Sequence, residues 1–426
     1  MKKKSHRFYY GWVIVTVSFL TLFMALGIRF SFGVFYIAIL KEYGWGRAAT
    51  AGAFSLAMLS HAVFALISGT LIDRFGPRIL FPLGSIFLAM GLVAASRITA
   101  MWHLYVFFGV AIAIGINTIS FSPHMTLISK WFFRKRGLAI GLVLAGVGAG
   151  TMTLLPVTEL MIEFFGWRSA FLLLAGLILG LIFPITALFQ RRSPEEVGQH
   201  IDGVTLGSDG APPSHAEEFL EDTPFPPLPQ KWTLSAAVLT KAYWFIGLVS
   251  FTNGFVVNTL LVHQAVHVVD LGYTKLLAAS LVGLVGLLGS IGGILFGSLS
   301  DRIGRGKSYA LANLAAFAGI FFFMLMRDSA SPWMLYTFVI LYGLGFASTA
   351  PISGATTADL FPGNSLGKIL ATQSMFYGAG GALGPYLGGY FHDYTGSYFI
   401  PFLLCLAGVI LGIIGIWMAV PRHQRP

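Results

Sequence analysis

Apolar residues run along this chain in long, almost unbroken stretches, and short segments between them carry most of the charges, glycines and prolines. An α-helix needs roughly 20 apolar residues to cross a hydrocarbon layer about 30 Å thick. Twelve stretches of that size fall at approximately 12–40, 48–72, 78–96, 102–128, 137–163, 168–190, 243–268, 275–299, 307–326, 333–358, 367–391 and 397–420. In lipid only helices and closed barrels satisfy their own backbone. Barrel strands would alternate apolar and polar positions, whereas GLVGLLGSIGGILFG is apolar all round. The pattern predicts an all-α membrane protein with twelve transmembrane helices.

Composition agrees: 56% of the 426 residues are hydrophobic and only 10% are charged, against about a quarter charged in soluble chains. The net charge of +10 could suggest nucleic acid, but its placement reports topology instead. With the N-terminus inside, twenty Lys or Arg fall on the inner side; Lys41, Arg47, Arg97, Arg168, Lys275 and Arg327 fall outside, and Arg29 lies within a span. That asymmetry is the positive-inside rule, and it predicts a multi-pass protein of the cell (inner) membrane with both termini cytoplasmic. The basic start MKKKSHRFYYGW precedes a run too long for a signal peptide, without a small-residue cleavage site. The one cysteine, Cys405, excludes an intramolecular disulfide and a thiolate metal cluster.

Residues 190–241 interrupt the apolar pattern with acidic, basic and proline-rich sequence that includes PFPPLP, the composition of an extended connector. It divides the chain into an N-terminal six-helix bundle (1–190), a cytoplasmic linker (191–241) and a C-terminal six-helix bundle (242–426). The halves repeat each other. GTLIDRFGPR at 69–78 is echoed by GSLSDRIGRG at 297–306, and RGLAIGLVLAGVGAGTMTLLP, ending at Pro156, by LGKILATQSMFYGAGGALGP, ending at Pro385. The two offsets, 228 and 229 residues, nearly coincide, which indicates a duplicated, pseudo-symmetric bundle.

In each G-x-L-x-D-R-x-G segment, Gly69 and Gly297 are expected to let helices approach closely. Asp73 and Asp301 sit at the inner boundary, where they can pair with a cation or a helix N-terminus. Gly76 and Gly304 permit a tight turn, and Arg74 and Arg302 anchor the loop. The same residues could gate the cytoplasmic side or serve only as anchors.

The paired motifs, twelve spans and central linker resemble the major facilitator superfamily over essentially the whole chain. That resemblance implies a transporter with one central site between two bundles, open alternately to either side, with spans 1, 4, 7 and 10 lining the cavity. Within it, YYGW at 9–12, IRFSFGVFY at 28–36, YGWGRAATAGAFSL, HVVDLGYTKLLAASLVGLVGLLG and GPYLGGYFHDYTGSY resemble bacterial relatives of monocarboxylate transporters and of oxalate:formate exchangers. One departure stands out. The resemblance implies an arginine in span 8 as a carboxylate anchor, yet no basic residue occurs between Lys275 and Arg302.

Arg29 is then the one Lys or Arg inside a span. Such a charge costs about 2.5 to 3.5 kcal/mol on insertion scales, so something should compensate. Three readings stand: a snorkelling side chain, an ion pair with Glu159 in span 5, or a counter-charge for cargo, since a guanidinium donates two parallel hydrogen bonds to a carboxylate. Polar residues at helical spacing mark further candidates: Asn117, Ser120 and His124 in span 4; Tyr342, Phe346, Thr349, Ser353 and Thr356 in span 10; Gln373 and Tyr377 in span 11. Asn253 and Asn258 stand about 140° apart on span 7, so at most one should face a ligand. Each of these groups could instead bond neighbouring helices. His263 and His267 have metal-ligand spacing but lack a companion cluster. His61 and His124 are candidate proton carriers or plain interior histidines.

The expected function is secondary transport of a small organic anion, a carboxylate, by proton symport or anion exchange. Arg29, Asn117, His124, Tyr342 and Tyr377 would bind it, with no cofactor, no metal and no nucleic-acid partner. Efflux of an amphipathic compound is the alternative, suggested by fifteen tyrosines and thirty-eight phenylalanines. An enzyme is disfavoured by the lack of a nucleophile elbow, a Cys-x-x-Cys motif or paired carboxylates. A sensor is disfavoured by a linker too polar to fold as a signalling domain.

Overall fold

The computed structural model describes residues 9–132, 135–203, 232–362 and 365–420. The PFPPLP stretch lies outside the described residues. Within them there are helices and turns and no strand.

Among the described residues, nine elements are long and apolar enough to cross a membrane. One of them, Leu138–Phe189, is 52 residues long and reverses at Gly166, where φ is 78°, so it makes two crossings. Arg47–Phe75 and Leu366–Thr395, less apolar but 29 and 30 residues long, complete twelve. In chain order these are α1 (Gly11–Tyr43), α2 (Arg47–Phe75), α3 (Pro77–Ala95), α4 (Met101–Trp131), α5 (136–165), α6 (167–189), α7 (Lys241–Asp270), α8 (Lys275–Ile303), α9 (Arg305–Leu325), α10 (Pro332–Leu360), α11 (Leu366–Thr395) and α12 (Phe399–Ala419). Large apolar side chains such as Phe164, Leu188, Ile294 and Met418 stand on the outer surface, an arrangement suited to lipid.

The two less apolar helices pack against each other across the two halves. α2 packs on α11 and α5 packs on α8, and these pairs join the two six-helix bundles. The internal repeat maps α2 onto α8 and α5 onto α11, so the seam is itself pseudo-symmetric. Small residues bring it close: a Cβ added to Gly283 of α8 would lie 2.9 Å from the Met152 Cα of α5, and one on Gly381 of α11 would lie 2.8 Å from Asn258 Nδ2 and 3.4 Å from Met58 Cγ of α2.

The duplicated motif makes its predicted turn. Gly76 and Gly304 have φ of 75° and 91°, each ending one helix and starting the next without an intervening loop. The close helix approach expected at Gly297 is absent, because a Cβ there would meet nothing within 4 Å. Contact instead occurs earlier on α8, where Gly292 abuts the Leu344 backbone and Gly289 the Phe346 ring. The side-chain surroundings of Gly69 and Asp73 lie outside the described residues.

Two spans break in equivalent places. α4 leaves helical geometry at Ile119 and Ser120, and α10 is interrupted at Ala347 and Ser348. Each break falls four residues before a proline, Pro123 or Pro351, whose ring clashes with the carbonyl at i−4 and whose nitrogen has no proton to donate. The prolines are 228 residues apart, the repeat offset. The α4 break overturns the expectation that Asn117, Ser120 and His124 share one face, since the helix restarts between them.

Candidate functional site

Arg29 lies in the middle of α1, which continues past a bend at Ser31 as far as Tyr43. About 12 residues, roughly 18 Å of helix, separate it from Lys41, out of reach of a snorkelling side chain. It makes no ion pair among the described residues. The expected alternative of an Arg29–Glu159 pair is not among the ion pairs of the described residues. A guanidinium has five N–H donors. Here one terminal nitrogen meets the Met58 sulfur at 3.1 Å, a weak acceptor, and the enclosed Nε meets no acceptor at all.

The surroundings place this charge at the seam. Arg29, Met58 and His61 line one small cavity walled by Phe54, Phe108 and Ile112. Met58 also faces Gly381 across the α2–α11 contact. Tyr377 of α11 is close enough to act on Arg29 electrostatically, and its hydroxyl accepts from Asn258 Nδ2 at 3.3 Å. Phe30, the next residue along, lines a second cavity that spans both halves, with Thr151, Gln264, Tyr342 and Phe346 on its walls.

The remaining candidates fall into two groups. Tyr342 is buried in a stack with Phe338 and Phe346 and faces the seam cavity. Asn117 is buried and directs both amide protons at His61. His124 is not brought to Arg29: its Nδ1 lies 3.0 Å from Ser18 Oγ, about three helical turns from Arg29 along α1, and its ring packs on Phe81 of α3. Gln373 donates to the Tyr243 carbonyl at 3.4 Å, and Asn253 bonds Thr349 of α10. His263 contacts the Tyr398 hydroxyl through Nδ1 at 3.2 Å and the Pro385 carbonyl through Nε2 at 2.8 Å. With both ring nitrogens occupied it offers nothing to a metal.

Gln264 was not visible as a candidate in the sequence. It is 3% exposed, lines the seam cavity, and its Oε1 has no partner. The available signal was its position, six residues beyond Asn258 on a span whose resemblance implied cavity lining.

Charge also gathers at the end of the molecule opposite the linker. Arg47, at the start of α2, holds Asp270 of α7 through two nitrogens, at 2.6 and 3.1 Å, and donates to the Tyr398 hydroxyl at 2.8 Å. Asp393 of α11 accepts from the backbone amides of Arg47 and Ala48 at 2.9 and 2.8 Å. Arg47 and Ala48 of the first half thus hold α7, α11 and the turn before α12 in the second. At the linker end the second-half motif bonds within its own half: Arg305 pairs with Asp301 and, at 3.1 Å, with Asp359. Arg74 and Arg302 are exposed, as anchors should be.

The Major Facilitator Superfamily model matches residues 17–350 and 295–426. Monocarboxylate transporter 13 of Bos taurus is 26% identical, covering 97% of this chain and 90% of its own length. Monocarboxylate transporter 12 of Rattus norvegicus is 25% identical, covering 98% and 88%. Monocarboxylate transporter 11 of Homo sapiens is 26% identical, covering 97% and 83%. Among solved structures, a bacterial homolog to the human lysosomal transporter Spinster, inward-facing and unoccupied, superposes with a TM-score of 0.69 over 97% of each chain at 15% identity, a likeness of fold. The chain belongs to the Major Facilitator Superfamily, and it is a transporter and not an enzyme.

Proposed function

We propose that this transporter carries a small organic anion, a carboxylate, by alternating access, and that Arg29 neutralises the anion at the seam between the bundles. The observation that carries this reading is a guanidinium in mid-span whose one hydrogen-bond partner among the described residues is a thioether. A buried cation left without a counter-charge is costly, and a carboxylate arriving at the seam supplies both the charge and two strong acceptors. The names of the relatives support the same class of cargo. Tyr342 and Tyr377 supply further contacts from the second half. His124 has no part in this reading, given its place against Ser18 and Phe81.

The excess of Lys and Arg at the linker end makes that end cytoplasmic, in the cell membrane, with both termini inside and the halves dividing at residues 191–241. The Arg47 cluster then closes the outer side, and the segments around Asp73 and Asp301 close the inner side in turn. Coupling is by proton symport or by exchange of one anion for another.

A thermal-shift series on the detergent-purified chain tests the class of cargo. Acetate, lactate, benzoate, succinate and oxalate are compared with glucose and with tetraphenylphosphonium, because a ligand that binds the folded state raises its apparent stability. At least one acid should raise the melting temperature of the wild type and not that of Arg29→Gln. Stabilisation by tetraphenylphosphonium alone would favour efflux of amphipathic cations.

A further inference from the structure

We propose that His61 is a second hydrogen-bond donor to the transported anion, fixed as its Nε2–H tautomer by Asn117. The proposal rests on the carboxylate reading above and adds to it a residue and a protonation state.

The tautomer follows from two distances. Asn117 Nδ2 lies 2.9 Å from the His61 carbonyl oxygen and 3.0 Å from His61 Nδ1. A carbonyl oxygen can only accept, so the atom facing it is the amide NH2 and the Asn117 side chain cannot be turned the other way round. One of its two protons goes to that carbonyl. The other points at Nδ1, which must then carry a lone pair. In a neutral imidazole the proton therefore resides on Nε2.

Nε2 has no partner among the described residues, and His61 lines the same cavity as Arg29, close enough for Arg29 to act on it electrostatically. Met58, one helical turn before His61 on α2, is the residue that touches the guanidinium. Arg29 of α1 and His61 of α2 thus line one small pocket whose other walls are apolar. A carboxylate has two oxygens to match, one for the guanidinium and one for Nε2–H. A pocket of donors alone discriminates against the amide or ester of the same acid, which lacks the charge.

Asn117 is a positioning residue in this scheme. It is 2% exposed and sits in the last turn of α4 before the break at Ile119, and it acts on the anion through His61.

The test combines uptake with spectroscopy on the full-length protein. Uptake of [14C]lactate and [14C]benzoate into proteoliposomes is measured for the wild type, Arg29→Gln, His61→Ala, His61→Gln and Asn117→Leu, and 15N spectra are recorded on histidine-labelled wild type and Asn117→Leu. His61→Ala should raise KM about tenfold or more with little change in maximal rate, the loss of one hydrogen bond to a charged group. His61→Gln, whose amide can still donate, should recover most of that loss. The wild-type resonance of His61 should show the proton on Nε2, and Asn117→Leu should show a mixture. A KM for His61→Ala within twofold of wild type, or a wild-type proton on Nδ1, overturns the proposal while leaving Arg29 in place. The spectrum decides even if His61→Ala fails to fold. Equal uptake by wild type and Arg29→Gln overturns the carboxylate reading and this proposal with it.

Discussion

Arg29 is the residue on which structure and function diverge most measurably. An arginine kept for an internal ion pair would stabilise the fold, and removing it would strand a buried carboxylate at a cost of about 3–5 kcal/mol. Arg29 has no such partner among the described residues, so Arg29→Met should leave the melting temperature of the detergent-purified protein unchanged or raised while abolishing saturable uptake. Arg29→Lys keeps a charge but loses the planar fork, and its KM should rise about tenfold or more. The need for compensation was legible in the sequence, because a single charge in an apolar span is conspicuous. Its environment was not. That Met58 and His61 would be its neighbours depends on how α2 rotates against α1, which side-chain spacing along one helix does not reveal.

At the scale of elements, the twelve spans, the repeat and the two glycine turns were all readable, since each is a local pattern of hydropathy or of backbone freedom. The broken helices were written in Pro123 and Pro351, but the polar stripe through Asn117, Ser120 and His124 assumed continuous helical spacing across the break. Gly297 failed as a contact point for a different reason: a small residue permits a close approach without requiring one. Substitutions should follow the observed contacts. Gly283→Val forces a side chain against the α5 backbone and should destabilise the chain by about 1–3 kcal/mol, read by thermal unfolding. Gly297→Ala, with nothing within 4 Å, should be close to neutral. Gly304→Ala, at a φ of 91°, should cost about 1 kcal/mol or more.

The whole molecule is two related bundles, and the mid-span charge at their seam, Arg29, comes from the first half. The repeat offset that maps Asp73 onto Asp301 maps Arg29 onto Val257, so symmetry governs the architecture and not the site. If the Arg47 contacts hold the end opposite the linker shut, as proposed, their loss should shift the population of conformers. With Cys405 replaced by Ser and Ala265 by Cys, beneath the α1–α7 contact, maleimide labelling should speed up roughly twofold to fivefold in Arg47→Gln, the range of one exposed ion pair. Equal rates would mean that this cluster does not hold the face shut.

The central claim, that a mid-span guanidinium at the seam holds anionic cargo, is tested most directly by equilibrium binding to detergent-purified wild type and Arg29→Gln, using the acid that most stabilises the wild type. The account predicts saturable binding by the wild type and a loss of about tenfold or more in affinity for a variant that is equally folded. Equal affinity in the two proteins would contradict it.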